Sequence, residues 1–314
     1  MRFAALTQNT IGMLALCAGI LLFSVQDAII KGISGDYAVT QAIVIRSLVS
    51  LPILLVMVRA EAGLRAIATP NRTALMLRGA IMLVAYTTYY MALPALPLAE
   101  AIALFFVSPI FVTLLAGPIL GETVGWRSWA AVLVGFGGVL CILQPGSALF
   151  EPAALLSLVS AAAYATAMVH ARRLGVREPA TVMAFYQNAV YLLGALAIAS
   201  VCALLGLRSA HPALDFLVRP WVMPGLRDFA LMAGCGVIAA AAMSLLTQAY
   251  KQAEAALVTV FEYTGMIWAP LWGYLFFAEV PKRSTVVGMA LIVAAGLYAL
   301  RAGSVTQGAK AVTD

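Results

Sequence analysis

The stretch ALPALPLAEAIALFFVSPIFVTLLAGPILGE, from Ala92 to Glu122, aligns without a gap with AYKQAEAALVTVFEYTGMIWAPLWGYLFFAE, from Ala249 to Glu279. Both begin at Ala, run through an apolar segment and end in a small residue followed by Glu. A Gly-containing apolar segment follows each of them, GFGGVL at 135–140 and AAGLYAL at 294–300. A weaker register, shifted by 141 residues, sets Phe23 against Tyr164, Thr40 against Thr181 and Arg46 against Gln187. The chain therefore carries an internal repeat, and the number of apolar segments in each copy decides how the copies sit in space.

That number follows from composition and punctuation. The 314 residues are 63% hydrophobic and 10% charged, against roughly 25% charged in a soluble domain. With a mean hydropathy of +0.99, a soluble globular protein is excluded, because a water-soluble body would pull the mean toward zero. Pro, Gly and charge clusters leave ten apolar segments, at 11–31, 38–58, 74–93, 98–117, 128–144, 152–170, 180–206, 229–250, 255–277 and 284–301. Each approaches the ~20 residues needed to cross a bilayer. None has the short alternating pattern of barrel strands, so helices must satisfy their backbone groups internally. The expected fold is an all-α polytopic membrane protein of ten transmembrane helices. Five spans per copy is an odd number, so the copies enter the membrane in opposite directions as two inverted five-helix repeats. Their expected limits are 1–147 and 148–303, with 304–314 a flexible cytoplasmic tail. Inverted repeats are transporter architecture, with a solute site near the midplane and alternating access by rocking.

The basic residues give orientation. With a cytoplasmic N-terminus, twelve Lys and Arg fall in inside segments, Arg72, Arg78, Arg172 and Arg173 among them. Six fall outside, including Lys31 and Lys282, and Arg46 lies within the second span. The positive-inside rule then places both termini in the cytoplasm. The first apolar run lacks a small-residue cleavage site and reads as a retained span rather than a secretory signal. A net charge of +6 spread between apolar runs offers no folded basic face for nucleic acid. Cys17, Cys141, Cys202 and Cys235 lie inside apolar runs without CxxC spacing, so they read as structural thiols with no metal or cofactor. HExxH, a partnered GxSxG and the P-loop GxxxxGK[ST] are all missing, which excludes an enzyme built on those motifs. Energy for transport would come from an ion gradient, from exchange against a counter-solute or from an external subunit.

Polar groups inside hydrocarbon cost ~2.5–3.5 kcal/mol each when charged, so each calls for an explanation. Asp27 and Lys31, spaced i,i+4, share a helix face and could pair; Arg46 on the next span could compete for Asp27. The planar fork of Arg46 would alternatively hold an anionic or carbonyl group of a solute. Glu262 lies ~11 Å into the ninth span, where it could carry a proton or bind the solute, with Gln187 and Asn188 reaching similar depth. Aromatic residues on five spans could line a cavity for a planar or heterocyclic solute. They are Tyr86, Tyr89, Tyr90, Phe105, Phe106, Tyr164, Tyr186, Tyr191, Tyr263 and Trp268. Glu100, Glu122, Glu254 and Glu279 fall at span ends and read as interfacial charges. Pro109 and Pro270 mark kinks through which the fourth and ninth spans could bend during gating. Gly135, Gly138, Gly288 and Gly296 allow close helix contact, which makes the fifth and tenth spans structural and a candidate homodimer surface.

Several stretches resemble, jointly, the EamA-domain members of the drug/metabolite transporter superfamily. They are FSVQDAIIKGI (23–33), VIRSLVSLP (44–52), LRGAIMLVAYTTYYMALPALPLAEA (77–101), SPIFVTLLAGPILGETVGW (108–126) and FEYTGMIWAPLWGYLFFAEVP (261–281). The resemblance covers almost the whole chain. It implies a secondary transporter of the bacterial inner membrane, moving a small organic metabolite such as riboflavin or S-adenosylmethionine, in the direction of uptake. The alternatives are an exporter of amino acids or toxic compounds and, from another class, a channel-like pore.

Overall fold

The computed structural model describes residues 8–120, 126–147, 150–174, 178–252 and 261–310. Among them all regular structure is helical. The first half contains α1 (Gln8–Ile33), α2 (Val39–Glu61), α3 (Arg72–Ala92), α4 (Leu98–Phe105), α5 (Ser108–Leu120) and α6 (Trp126–Leu143). The second contains α7 (Ala154–Leu174), α8 (Ala180–Leu204), the short α9 (Pro212–Val218), α10 (Leu226–Gln252), α11 (Gly265–Phe277) and α12 (Arg283–Lys310). By length and composition alone, Thr10–Ile33, Val39–Glu61, Ala180–Leu204 and Leu226–Leu246 suffice to cross a membrane. Of the remaining spans, α3 is an unbroken helix of 21 residues, and the others carry shorter apolar helices. Helix α12 continues through Lys310, over most of the segment expected as a tail.

The helix contacts are related two by two. Helix α1 packs on α10 as α7 packs on α3, and α2 crosses α10 as α8 crosses α3. Helix α11 lies on α1 as α5 lies on α7, while α2 meets α8 and α6 meets α12. Exchanging one half of the chain for the other maps this set onto itself, as inverted repeats require.

The repeat reaches side-chain detail. A Cβ added to Gly236 would stand 2.5 Å from the Arg46 carbonyl oxygen and 2.8 Å from Val49 Cβ. A Cβ on Gly79, the residue aligned with Gly236, would stand 3.5 Å from Gln187 Cα and 3.1 Å from Val190 Cβ. Gln187 and Val190 are the mates of Arg46 and Val49 in the weaker register. Both crossings are thus seated on a glycine against the same two positions, because helices this close leave no room for a side chain.

The fourth span of each half is broken at one matching place. Helix α4 stops at Phe105, and Phe106–Val107 form a turn before α5; in the second half Tyr263–Thr264 form the turn before α11. The same three-residue bonds close both: Val107 N–H to Leu104 O and Ile110 N–H to Val107 O, then Thr264 N–H to Phe261 O and Ile267 N–H to Thr264 O. Pro109 follows the first break directly, and Pro270 lies inside α11. Phe106 and Tyr263 touch across the two breaks, with ring centroids 5.7 Å apart.

Two expectations change. Asp27 and Lys31 do not pair. Lys31 Nζ lies 2.7 Å from Glu279 Oε1 and donates to the carbonyls of Leu93 and Leu96 at the end of α3. Carbonyls there have no intrahelical partner, and together with Glu279 they outbid an acid on the same helix. Glu279 Oε2 also accepts from Leu98 N–H at 2.7 Å, so it ties α4 and α1 to the end of α11. Glu100 is buried, accepting from Thr285 at 2.9 Å with Lys282 at 3.6 Å, rather than standing at a wet interface. The glycines of α6 and α12 are occupied within the chain, Gly138 and Gly288 meeting backbone to backbone and Gly135 seating Ile110. Glu122 and Glu254 lie outside the described residues.

Candidate functional site

Polar side chains from α1, α2, α3 and α8 converge in the interior. Arg46 points from α2 across the Tyr191 ring, its guanidinium carbon 5.8 Å from the centroid. It is buried, and neither Nε nor Nη1 has a protein acceptor. Asp27 accepts from the Tyr89 hydroxyl at 3.0 Å, with Arg46 within electrostatic reach. Gln26 donates to Tyr90 Oη at 2.8 Å and leaves its own Oε1 unpartnered. Gln187 accepts from Arg78 Nη1 at 3.1 Å and donates to Tyr191 Oη at 3.0 Å, and that hydroxyl passes on to the carbonyl of Met82. Asn188 is committed elsewhere, to Ser50 at 2.8 Å and the Ala184 carbonyl.

The aromatic rings form a continuous wall around this cluster. Tyr86 contacts Tyr191 at 5.8 Å and Tyr90 at 6.0 Å, and Tyr89 contacts Tyr90 at 5.8 Å and Phe105 at 5.3 Å. Phe105 meets Tyr164 at 5.2 Å. The wall therefore runs from the Arg46 pocket to the two breaks. Glu262 sits just before the second break, near enough to Tyr164 and Tyr263 to act on both electrostatically.

Most of the residues singled out from sequence are brought together: Arg46, Asp27, Tyr86, Tyr90, Tyr164 and Gln187 share the cluster, and Glu262 borders it. Trp268 stands apart, stacked on Trp272 at 6.2 Å, which itself donates to Ser24 Oγ. Tyr186 is also elsewhere, bonded to the Ile67 carbonyl. An apolar cleft of about 350 Å³ lies beside the second break, lined by Tyr263, Met266, Ile267 and Met289 among others.

The residue that sequence reasoning missed is Arg78. It falls close to the start of the third span, within reach of a water interface, where the positive-inside rule reads it as a cytoplasmic charge. In the structure it is buried, and its Nε has no protein acceptor. The aligned glycines at 79 and 236 were the available signal, since they fix which face of α3 looks inward.

Two inverted five-helix repeats, with broken spans meeting beside buried polar groups, define a membrane transporter. The comparisons specify the kind: the chain belongs to the EamA-like transporter family, which it matches over residues 10–144 and 151–301. It is 29% identical over 286 residues to a pseudopaline exporter of Pseudomonas aeruginosa, covering 90% of this chain and 94% of that protein. It is 34% identical to a riboflavin transporter of Rhizobium johnstonii over 67% of this chain and 64% of the relative. An S-adenosylmethionine uptake transporter of Rickettsia prowazekii is 25% identical over 75% of this chain and 74% of its own length. A solved crystal structure at 19% identity superposes with a TM-score of 0.62, covering 92% of this chain and 96% of the other, and shares the fold. The protein is a multi-pass membrane transporter of the small-metabolite class.

Proposed function

We propose that the protein is a secondary transporter of the bacterial inner membrane, with both termini cytoplasmic, that moves a small organic solute by alternating access. The observation that carries this reading is the meeting of the two helix breaks, Phe106 against Tyr263, beside a buried polar cluster with uncommitted hydrogen-bond donors. Broken spans at a repeat interface are where transporters place their solute. In this reading Tyr86, Tyr90 and Tyr164 hold the planar body of the solute and Arg46 and Gln187 its polar head, with Trp268 on the ninth span outside this cluster. Asp27 and Glu262 are the coupling candidates, for protons or for a counter-solute, and the helix segments carrying Pro109 and Pro270 swing about the breaks. Riboflavin- or S-adenosylmethionine-like solutes and uptake are the starting choices, from the named relatives. Export is the second reading, favoured by the nearly full-length match to the pseudopaline exporter.

The test is a thermal-shift screen of the purified protein against vitamins, nucleosides, amino acids and quaternary amines, followed by proteoliposome flux in both directions with the best hit. Saturable flux with counterflow is expected. Conductance that never saturates would replace the carrier by a pore. In the same vesicles Glu262→Gln should abolish accumulation driven by a pH gradient while sparing exchange; unchanged accumulation removes Glu262 as the coupling group.

A further inference from the structure

The unpartnered atoms of the cluster describe the solute more closely. Three guanidinium nitrogens lack acceptors, Nε and Nη1 of Arg46 and Nε of Arg78; outside the guanidiniums, Trp268 Nε1 and the hydroxyls of Ser47, Thr87, Ser157 and Ser160 are also unpartnered. Oε1 of Gln26 is the one of these atoms that can only accept, the hydroxyls being able to do either. Arg46, Arg78 and Gln26 have relative exposures of 4%, 6% and 1%, so none of these atoms is served by bulk water. Buried polar atoms in a native protein are ordinarily partnered, and here the missing complement is rich in acceptors. Asp27, the acid within electrostatic reach of Arg46, is engaged by the Tyr89 hydroxyl. A carboxylate offers only acceptors and suits the guanidinium fork, whereas an amide or hydroxyl adds donors the cluster already has in excess.

The inverted repeat relates the two pairs to which the guanidiniums belong. Arg46 aligns with Gln187, and Arg78 aligns with Cys235. The structure brings Arg78 onto Gln187 and places Cys235 within electrostatic reach of Arg46. The pseudo-twofold axis therefore exchanges the Arg46 and Cys235 pair with the Gln187 and Arg78 pair. Helices α2 and α3 start at opposite ends of the bundle, and the arginines lie ~10 Å and ~9 Å from those starts. Tyr191 links them, packing against Arg46 and accepting from Gln187. One cation thus stands on each side of the midplane, on opposite members of the two related pairs.

We infer that Arg46 and Arg78 form two anion stations, one facing each side of the membrane, and that the transported solute carries a carboxylate handed from one station to the other. The inference rests on the transporter reading and names its substrate class. In each half-cycle the carboxylate sits on the station of the open side, and rocking about the breaks transfers it past Tyr191 to the other.

The probes are 3-phenylpropionate and 3-phenylpropionamide, which match in shape and differ in the charged group. Binding to the detergent-purified protein is followed by thermal unfolding at neutral pH. The acid should stabilise the wild type and the amide should not. Arg46→Gln and Arg78→Gln should each weaken the acid about tenfold, a change of about 1.4 kcal/mol in binding, and the double variant should abolish its effect. Equal stabilisation by acid and amide overturns the inference, as does stabilisation by neither, or an acid response that both single variants retain. If Arg78→Gln fails to fold, Arg78→Lys keeps the charge but loses the fork, and the acid–amide contrast on the wild type decides alone. Saturable flux of an uncharged or purely cationic solute would remove the anion stations and leave the transporter intact; absence of saturable flux would remove both.

Discussion

The crossing of α2 with α10 and the crossing of α8 with α3 have the same backbone and different chemistry. Each opens on a polar clasp at the ends of its helices. At the first, Tyr37 Oη donates to Asp228 Oδ2 at 2.7 Å; at the second, Asn71 Nδ2 donates to Glu178 Oε1 at 2.9 Å. Tyr37 aligns with Glu178 and Asp228 with Asn71, so donor and acceptor have changed sides. Further in, each crossing seats a glycine and beside it holds one guanidinium, Arg78 next to Gly79 in the chain and Arg46 with its carbonyl against Gly236. There too the sides are exchanged, the cation being on α2 at one crossing and on α3 at the other. Duplication fixed where helices touch, and divergence then chose which partner bears charge. A fold that must look alike from both sides of a membrane can keep its geometry symmetric while concentrating its cations on the first repeat.

The largest expected effect tests the backbone half of this comparison. Gly236→Ala would push a methyl to 2.5 Å from a backbone carbonyl, which cannot rotate away, whereas Gly79→Ala meets the movable Val190 side chain at 3.0 Å. Overpacking of a helix contact costs about 3 kcal/mol at the upper end, and Gly236→Ala should approach it. Gly79→Ala should cost less than half as much. The measurement is unfolding in detergent followed by fluorescence or by aggregation of single-Ala variants. Equal losses would mean that the tighter approach at Gly236 relaxes at no cost, and the asymmetry of the two seats would disappear.

How far sequence carried this picture depends on the element. Ten spans, the repeat and the inverted arrangement followed from apolar run lengths and an ungapped alignment, because those depend on the bilayer and on parity alone. Arg46 and Asp27 stood out because charge deep in hydrocarbon always needs a reason. Lys31 was misplaced because sequence sees only the i,i+4 neighbour, whereas Glu279 arrives from 248 residues away in the chain. Arg78 escaped because distance along a helix gives depth without azimuth: a residue two turns from the surface can snorkel out or point in, and the packing of α3 on α8 decides. The breaks at 106–107 and 263–264 carry no glycine or internal proline, and only the paired turns of the fold reveal them.

A middle-sized effect tests the chemical half. Gln187 is the neutral group that holds Arg78, accepting from it and donating to Tyr191. Gln187→Leu keeps the volume, strips Arg78 of its acceptor and leaves a buried guanidinium with another unmet donor, at a cost of about 2 kcal/mol. Cys235, the neutral group beside Arg46, is a buried free thiol, and Cys235→Ala should cost under about 1.5 kcal/mol as a small volume change. Paired unfolding midpoints measure the difference. If Cys235→Ala proves the more costly, the thiol rather than the glutamine is the principal support of its cation, and the two crossings are less alike than their alignment.

The smallest effect separates the two clasps by pH. The hydrogen bond from Tyr37 to the Asp228 carboxylate raises the pKa of the phenol above its ordinary value near 10, because ionising the phenol would surrender the bond and set two negative charges together. The linkage sign follows: a group whose folded pKa is raised contributes its full stability below the unfolded pKa and loses it as pH rises through the folded one. The unfolding midpoint of the wild type should therefore exceed that of Tyr37→Phe by a constant amount from neutral pH to about pH 9, and the gap should close above about pH 10. The Asn71 amide does not ionise, so the gap between wild type and Asn71→Leu should persist over the same range. A Tyr37→Phe gap that stays open at high pH would show that the phenol contributes by packing rather than by its bond to Asp228. The two clasps would then be alike in position only.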